Sequence, residues 1–236
     1  MIRGFYASRS GVLGQQDSMN VIANNFANIN TNGFKTQHAA FASLIYAKVQ
    51  GGAGVTVDTG HGVKVQNTAT NFSQGGLAET TVPTDMAIIG EGFFAATAGE
   101  DGDVYYSRAG DFKYSVDGDT KFLTDAMGGY VLDEGGSPIE LAAEEEIRPE
   151  QVGVFVFPNR HGLEFVGNNR LVATEVSGEA EAAEGATVKA GFLERSNAEV
   201  SYEMVKMIEA SKAFAFNARV LQTIDEMEGV GNQLRQ

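Results

Sequence analysis

Few residues of this chain have the types and spacing that catalysis or metal binding requires. None of the 236 residues is cysteine, and the chain contains no Gly-x-Ser-x-Gly sequence, so two common nucleophile signatures are absent. The three histidines, His38, His61 and His161, stand far apart in sequence and lack the spacing of zinc ligands. We therefore predict that each histidine is a surface or turn residue.

Two glycine-containing patterns match ligand-binding loops only in part. Asp117-Gly118-Asp119 has the start of a calcium loop, but Lys121 and Phe122 occupy positions where that loop requires an oxygen ligand and a glycine. Gly90-Glu91-Gly92 lacks the third glycine and the following helix of a dinucleotide site. We therefore predict a protein that is not an enzyme and that uses no metal or other cofactor.

Charge is distributed unevenly along the chain. The net charge is −14, and residues 67–192 alone contribute −15, whereas residues 1–66 carry +3 and residues 193–236 carry −2. Nucleic-acid binding needs a basic surface, so this composition argues against it. Nearly neutral ends beside an acidic middle are typical of ends that are buried against other chains.

The sequence contains no segment that directs it into a membrane. No apolar run is long enough to span a bilayer, so we predict no membrane insertion. The first residues, Met1-Ile2-Arg3-Gly4-Phe5-Tyr6, lack the unbroken apolar core of a signal peptide. If the protein leaves the cytoplasm, we expect a route that needs no cleaved signal.

The longest helical pattern runs from Ser196 to Glu228, 33 residues without glycine or proline. Ser196-Asn197-Ala198-Glu199 is a capping box and predicts that the helix starts there. One apolar stripe has the spacing of a seam that packs along another helix. Its members are Val200, Met204, Met207, Phe214 and Leu221.

A second apolar stripe lies off this seam on the same predicted helix. It consists of Tyr202, Val205, Ile208, Phe216, Val220 and Ile224. One partner helix buries about one face, so a helix that is apolar on more than one face needs several neighbours. The neighbours are either other helices of the same fold, as in a bundle, or other copies of the chain.

The first 30 residues also have a helical pattern. Large apolar residues recur at intervals of seven, with one more between them: Phe5, Val12, Met19, Phe26 and Ile22. Gly11 and Gly14 weaken this helix, at about 1 kcal/mol each relative to alanine, but allow close approach of a neighbour. We expect the helix to end near Asn30, because Asn32-Gly33 is a turn signal.

Between the helical ends the pattern changes to that of strands. Residues 36–66 read as a linker or extended segment, and residues 67–192 as a β-rich domain with period-two alternation, for example Phe112, Tyr114 and Val116. Asn168-Asn169 predicts a turn between strands. We predict an α+β fold: residues 1–35 and 193–236 form a discontinuous helical domain, paired as a coiled coil, and the middle is mostly antiparallel β. Two helices cannot bury both stripes, which favours an assembling subunit.

Three groups of motifs carry a family resemblance. Residues 23–35, Ala-Asn-Asn-Phe-Ala-Asn-Ile-Asn-Thr-Asn-Gly-Phe-Lys, resemble the ANNxANxxTxGFK motif of bacterial flagellar rod and hook proteins. Glu203-Met204-Val205-x-Met207-Ile208 and Gln222-Thr223-x-Asp225-Glu226-Met227 are similar to the C-terminal motif of that family. Tyr106-Ser107-Arg108-x-Gly110-x-Phe112 and Gly167-Asn168-Asn169 agree in the middle. The resemblance covers nearly the whole chain.

The resemblance implies an axial subunit of the flagellum, with an inner coiled-coil domain and an outer β domain. It implies export in unfolded form by the flagellar type III apparatus, and a place in the basal body outside the cytoplasmic membrane. The implied partners are copies of itself, other rod and hook subunits, the export gate and the bushing rings around the rod. Phe41 and Ile45 are similar to the element that the export gate reads; the alternative is a helix face within the linker.

The resemblance also assigns the first motif a role as a turn, formed by Asn24, Asn25, Asn28, Gly33 and Phe34. Asparagine side chains can bond backbone groups there, and Gly33 can take a positive φ.

The single β region suits a rod protein better than a hook protein, and the N-terminus is similar to the distal rod type. The segment of residues 47–62 is shorter than expected for the distal rod type, so a protein of the proximal rod remains an alternative. A different kind of function, a secreted β domain that binds a surface glycan or a protein, remains the alternative.

Overall fold

The computed structural model describes residues 2–50, 56–97, 102–117, 120–142, 147–183 and 185–234, and it divides into two compact units. Unit 1 combines Met1–Ala27, Gln37–Asn71 and Glu199–Gln236, and unit 2 combines Asn28–Thr36 and Phe72–Ala198. Two long helices from the ends of the sequence contact each other in unit 1, and antiparallel strands fill unit 2. The predicted α+β fold class is therefore confirmed.

The helices of unit 1 are α1, Ile2–Ala27, and α2, Val200–Gln233. At 1.5 Å per residue, α2 is about 50 Å long. The predicted N-cap, Ser196, is wrong by three residues, because the helix is preceded by Glu199 as its N-cap. The Ser196 hydroxyl accepts a hydrogen bond from Ala198 N at 3.1 Å in a local turn, and no side chain caps the helix at Glu199. At its other end α2 continues past the predicted Glu228.

Strands from the segment between residues 37 and 70 complete unit 1. β1, Gln37–Ser43, pairs antiparallel with β4, Val63–Thr70, and β2, Ala47–Gln50, pairs with β3, Thr56–Thr59. The helix α1 contacts both β1 and β4. Gly14 of α1 lies against the Phe41 ring of β1, where an added Cβ would be 3.1 Å from Cε1. The expectation that glycine allows close approach is confirmed at this position.

Unit 2 contains the remaining strands, which are mostly short. They are β5 Leu77–Glu79, β6 Met86–Ile89, β7 Phe93–Thr97, β8 Val104–Ser107, β9 Lys113–Asp117, β10 Thr120–Thr124, β11 Tyr130–Val131, β12 Glu140–Leu141, β13 Val154–Val156, β14 Glu164–Gly167, β15 Arg170–Val172, β16 Glu181–Ala182, β17 Thr187–Ala190 and β18 Phe192–Glu194. The main sheet has the order β12-β10-β11-β7-β8-β15-β14, with β9 beside β10 and β13 between β7 and β16. β17 pairs with β6 and β18 with β5.

Strand alternation divides the interior of unit 2 into two apolar clusters. On β7, Phe94 joins Met86 and Leu123 in one cluster, whereas its neighbour Phe93 joins Tyr106 in the other. Successive side chains of a strand point to opposite faces, so one strand supplies both clusters. The main sheet is therefore covered by apolar side chains on both faces at its centre.

The turns of unit 2 agree with the sequence where they can be compared. Asn168 and Asn169 both have positive φ, 50° and 58°, and connect β14 to β15, so the predicted turn is confirmed. Gly118 and Asp119, part of the incomplete calcium-loop pattern, lie outside the described residues.

Leu123 provides a test of the core of unit 2. It lies on β10 and is fully buried, so Leu123→Ala should lower the free energy of unfolding by about 2–5 kcal/mol. Val116 lies on the adjacent strand β9 but is 65% exposed, so Val116→Ala should change the free energy of unfolding by less than about 0.5 kcal/mol. Denaturant unfolding followed by circular dichroism measures both. Equal losses would contradict the assigned core.

Candidate functional site

The described residues offer no site for metal chemistry. Within those ranges no three His, Asp or Glu side chains are grouped closely enough to hold an ion. His38 lies on β1, His61 lies between β3 and β4, and His161 lies in a short 3-10 helix. No helix among the described residues has the length and apolarity to cross a bilayer. The distinctive features are a buried ionic cluster in unit 2 and the helix pair of unit 1.

Glu194, the last residue of β18, places a fully buried carboxylate at the centre of the ionic cluster. Its Oε1 accepts hydrogen bonds from Lys35 Nζ at 2.6 Å and from the backbone N of Gly75 at 2.8 Å. Its Oε2 accepts a hydrogen bond from Arg108 at 3.1 Å. We call Glu194, Lys35 and Arg108 the clasp.

The clasp buries two cations with one anion. The Lys35 and Arg108 side chains are only 4% and 5% exposed. Lys35 also donates to the carbonyl of Ser73 at 2.8 Å, and Arg108 donates to the carbonyl of Gly90 at 2.6 Å. Buried charge is costly unless it is paired and hydrogen-bonded, so the carboxylate and these carbonyls together make the burial possible.

Burial and the carboxylate act in opposite directions on the cations of the clasp. Loss of water lowers the pKa of the Lys35 ammonium, and the adjacent Glu194 carboxylate opposes this change. Loss of water likewise lowers the pKa of the Arg108 guanidinium, and the Glu194 carboxylate again opposes this change. Glu194 is therefore the group that favours the charged form of both side chains.

The clasp joins the first sequence motif to the C-terminal end of unit 2. Beside the Lys35–Glu194 pair, the backbone N of Gly33 donates to the carbonyl of Glu194 at 2.8 Å. Asn197 continues the connection: its backbone N donates to the carbonyl of Phe34, and its Oδ1 accepts from the backbone N of Thr36 at 2.8 Å. Every residue from Gly33 to Thr36 is thus bonded to residues 194–197.

Gly33 has the positive φ, +67°, that the motif predicts, so this expectation is confirmed. A Cβ built on Gly33 would collide with the backbone of Arg108 and Ala109. Next to it, Phe34 is buried, and the turn before it is closed by the Thr31 hydroxyl, which donates to Asn28 Oδ1 at 3.1 Å. Gly33, Phe34 and Asn28 therefore belong to unit 2.

Asn25 of the same motif has a different role, inside unit 1. It is fully buried; its Nδ2 donates to the carbonyl of Gln37 at 2.8 Å, and its Oδ1 accepts from Gln37 N at 3.0 Å. Its Nδ2 also lies 3.3 Å from both carboxylate oxygens of Glu203, a buried residue of α2. Asn25 thus joins α1, β1 and α2. Asn24, its neighbour, has an exposed side chain on α1.

Small and polar residues form the contacts between the two helices. Gly4 lies against Ile224, with an added Cβ 3.3 Å from Cδ1, and Gly11 lies against Asn217, with an added Cβ 2.9 Å from Nδ2. Together with the Asn25–Glu203 contact, these pairs are separated by seven and then fourteen residues on both helices, in opposite directions. The same register places Ser18 opposite Ala210, which is buried. The described contacts thus follow an antiparallel heptad seam.

The apolar residues predicted for the intrasubunit seam lie beside these contacts. Ile22 is buried, and Val12, Met19, Met207, Phe214 and Leu221 are half-buried. Phe5, Phe26, Val200 and Met204 are exposed. Glycine, serine and alanine at the seam let the helices approach closely, and on α1 the residues Phe5, Val12, Met19 and Phe26 each follow a seam residue by one position.

The residues predicted for the intersubunit stripe are mostly exposed. Tyr202, Val205, Ile208 and Phe216 are at least half exposed. Val220 and Ile224 are half-buried, and Ile224 contacts Gly4.

The two residues predicted for export recognition do not lie on a helix. Phe41 is in β1, packed on Gly14, and Ile45 follows that strand with 85% of its surface exposed.

Four charged residues of these sites received no role in the sequence analysis: Lys35, Arg108, Glu194 and Glu203. Three of them stand within the family motifs, Lys35 in the first, Arg108 in the middle one and Glu203 in the last. A charged residue inside a family motif was the available signal. Its partner could not be identified, because Lys35 and Glu194 are 159 residues apart in sequence.

Three family models match consecutive parts of the chain. Residues 5–35 match "Flagella basal body rod protein", residues 87–154 match "Flagellar hook protein FlgE/F/G D1 domain", and residues 189–234 match "Flagellar basal body rod FlgEFG protein C-terminal". The first match covers α1 from residue 5 onward, the last match contains α2, and the middle match lies within unit 2. The fold and these matches define a rod-and-hook type of axial protein.

The flagellar rod proteins among the curated relatives are similar over nearly their full length. The flagellar basal-body rod protein FlgG of Borreliella burgdorferi is 33% identical, covering 100% of this chain and 99% of the relative. FlgG of Bacillus subtilis is 32% identical, covering 96% and 97%. The hook protein FlgE of Helicobacter mustelae is 40% identical, but covers only 40% of this chain and 23% of the relative. The chain belongs to the flagellar basal-body rod protein family and is of the FlgG, distal rod type. This family is structural and not enzymatic.

The clasp can be tested by removing its anion. Glu194→Gln leaves two buried cations without a carboxylate, so we expect the free energy of unfolding to fall by about 3–5 kcal/mol. Glu91→Gln is the matched control, because Glu91 pairs with Arg160 at 2.7 Å on the surface, where such a pair contributes less than about 1 kcal/mol. Chemical denaturation compares the two. Similar values for both variants would show that the clasp does not stabilise unit 2.

Gly33 can be tested by adding a single methyl group. Gly33→Ala should lower the free energy of unfolding by more than about 1 kcal/mol, because alanine is strained at positive φ and the Cβ meets the backbone of Arg108. Gly76→Ala is the control: an added Cβ there has no neighbour within 4 Å. Thermal unfolding of both variants measures the difference. If the stability of Gly33→Ala equals that of the unmodified protein, the turn at Gly33 does not have the stabilising role assigned to it.

Proposed function

We propose that this chain is a structural subunit of the distal flagellar rod that polymerises through the helix pair of unit 1. The observation that carries the proposal is the number of large apolar side chains exposed on these two helices. Monomeric proteins rarely expose apolar patches of this kind, and larger ones mark interaction sites. On α1 and α2 they are Phe5, Tyr6, Leu13, Phe26, Val200, Tyr202, Met204, Val205, Ile208, Phe216, Met227 and Val230.

The helix seam explains why so much apolar surface remains available. Gly4, Gly11 and Asn25 hold the helices together through small and polar side chains, which leaves the larger residues on both sides of the pair. In the proposed rod, the exposed residues Tyr202 and Ile208 are buried between subunits. Their burial contributes roughly 1.5–3 kcal/mol for each large side chain, which favours assembly over the free subunit.

The two units have different tasks in this proposal. Unit 1 supplies the polymer contacts, and unit 2, with two apolar clusters and the buried clasp, forms an outer body that resists deformation. The assembled rod is the tubular drive shaft that transmits torque from the motor to the hook. The strongly acidic residues 67–192 provide a well-hydrated outer surface.

The proposed partners follow from the family. They are copies of this chain, other rod and hook subunits, the gate of the flagellar type III export apparatus, and the bushing rings around the rod. The proposed location is the basal body outside the cytoplasmic membrane. Export in unfolded form makes Phe41 and Ile45 accessible to the gate, although Phe41 packs on Gly14 in the folded protein.

The other candidate functions lack comparable support. A secreted β domain that binds a glycan or a protein would be a module of its own, whereas the similarity to FlgG of Borreliella burgdorferi runs through helices and strands alike, over 99% of that relative. A hook protein is also disfavoured, because the match to the Helicobacter mustelae hook protein covers 23% of its length.

Ile208→Asp tests the polymer surface. Ile208 is 51% exposed and is not among the described seam contacts, so the helix pair should still fold, whereas a buried unpaired carboxylate between subunits would prevent incorporation. The variant is expressed in a bacterium of a motile species that lacks its own copy of the subunit. We expect the bacterium to export the variant but to remain non-motile. Export into the medium and swimming are scored separately. Val116→Asp is the control, because it introduces an aspartate at an exposed position of unit 2. A host that expresses this control variant should swim. Normal swimming of Ile208→Asp would defeat the proposal.

A further inference from the structure

A groove of about 510 Å³ opens in unit 1 between α1, β1 and α2. Its floor includes Ile22 and Ala210, which are buried, and its rim includes Phe41 and Tyr202, which are partly exposed. This volume is within the range of about 300–1,000 Å³ found for ligand-binding pockets in proteins. The groove can therefore accept a large side chain from another molecule.

The groove exists because the side chains of the helix seam are small where the groove opens. Ser18 of α1 stands opposite Ala210 of α2 in the heptad register, and Ala213 lies one turn further along the groove wall. These three small side chains leave space that Phe41 on β1 borders and does not fill. The space is thus a property of residue type at defined positions.

The groove has acidic character. Two carboxylates, Glu203 and Glu209, line it with one ammonium group, Lys206. The Glu203 carboxylate is 2% exposed and has an amide, Asn25 Nδ2, as its described side-chain partner at 3.3 Å. Glu209 is exposed and lies 3.4 Å from Lys206. A cation that enters the groove would meet an excess of negative charge.

A basic face with a central aromatic residue lies further along α2. Lys212, Phe216 and Arg219 are spaced by four and three residues, so they share one face of the helix. All three are exposed, and Phe216, at 68%, is the most exposed aromatic side chain on the described parts of the two helices. Neither Lys212 nor Arg219 has an ion-pair partner among the described residues. We call these three residues the basic knob.

We propose that the groove of one subunit binds the basic knob of a second copy of the same chain, with Phe216 inserted over Ala210 and Ala213 and Arg219 directed to Glu209. Charge and shape both support this occupant: the knob carries two cations and the groove an excess of one carboxylate, and an aromatic or arginine anchor in a pocket is the usual centre of a strong interface. The inference rests on the proposed function and specifies one contact within it.

The contact joins two different surfaces of the chain, so it is a heterologous one. Such a contact leaves a free groove at one end of every chain of copies and a free knob at the other. Repetition therefore continues into a ring or an open helical filament and does not stop at a dimer. This is the geometry that a tubular rod requires.

Two complementary variants test the contact. Phe216→Ala removes the anchor and keeps the groove, whereas Ala213→Trp fills the groove and keeps the knob. We expect each variant alone to need at least a tenfold higher concentration to assemble than the unmodified protein. Mixed in equal amounts, the two variants should form dimers but no larger species in sedimentation velocity. Each pair has one intact knob, from Ala213→Trp, and one intact groove, from Phe216→Ala.

A charge exchange provides a second test that does not depend on tolerance of tryptophan. Arg219→Glu and Glu209→Arg change exposed side chains, so folding should be preserved, as circular dichroism can verify. Each change alone should weaken assembly at least tenfold, and the double variant should recover most of the loss. Failure of the double variant to recover, or no dimers in the mixture above, overturns the contact.

The unmodified protein separates this inference from the function on which it rests. If purified protein fails to form rods at any concentration in electron micrographs, the proposed function and this contact both fail. If it forms rods, but Phe216→Ala and Arg219→Glu form them equally well, only the contact is refuted.

Discussion

A single buried carboxylate organises unit 2 of this protein. Glu194 holds Lys35 and Arg108 away from water, and around this clasp the segment from Gly33 to Thr36 is bonded to residues 194–197. Two cations on one anion would be unstable without the carbonyls of Ser73 and Gly90, so the surrounding backbone must take one particular path. The glycine at position 33 belongs to that path, because a side chain there would collide with Arg108.

The helix pair depends on a second constraint, which is the small size of its contact residues. Gly4 and Gly11 bring the helices close, and the buried Asn25–Glu203 contact supplies polarity where an apolar pair would be expected. The consequence is a division of labour along each helix. Small and polar residues lie at contacts within one subunit, and large apolar residues such as Phe216 remain exposed on its surface.

The sequence predicted the fold class, the two terminal helices, the turn at Asn168-Asn169 and the positive φ of Gly33, because each depends on local pattern or residue type. It did not reveal the clasp, since nothing local relates Lys35 to Glu194. It also pointed to Phe5, Val12, Met19 and Phe26 for the helix seam, one position away from Gly4, Gly11, Ser18 and Asn25. A search for apolar periodicity follows the large residues and passes over the glycines and the polar pair at the seam.

The distance in sequence between the contacting partners has a consequence for the order of folding. Lys35 and Glu194 are separated by 159 residues, and Asn25 and Glu203 by 178. Neither contact can form until more than four-fifths of the chain is present, and loops of this length close slowly. A chain delivered end-first, from a ribosome or through a narrow channel, stays open during most of its delivery. The first helix cannot pair until the last helix is present, so the fold is completed only when the final segment has been delivered.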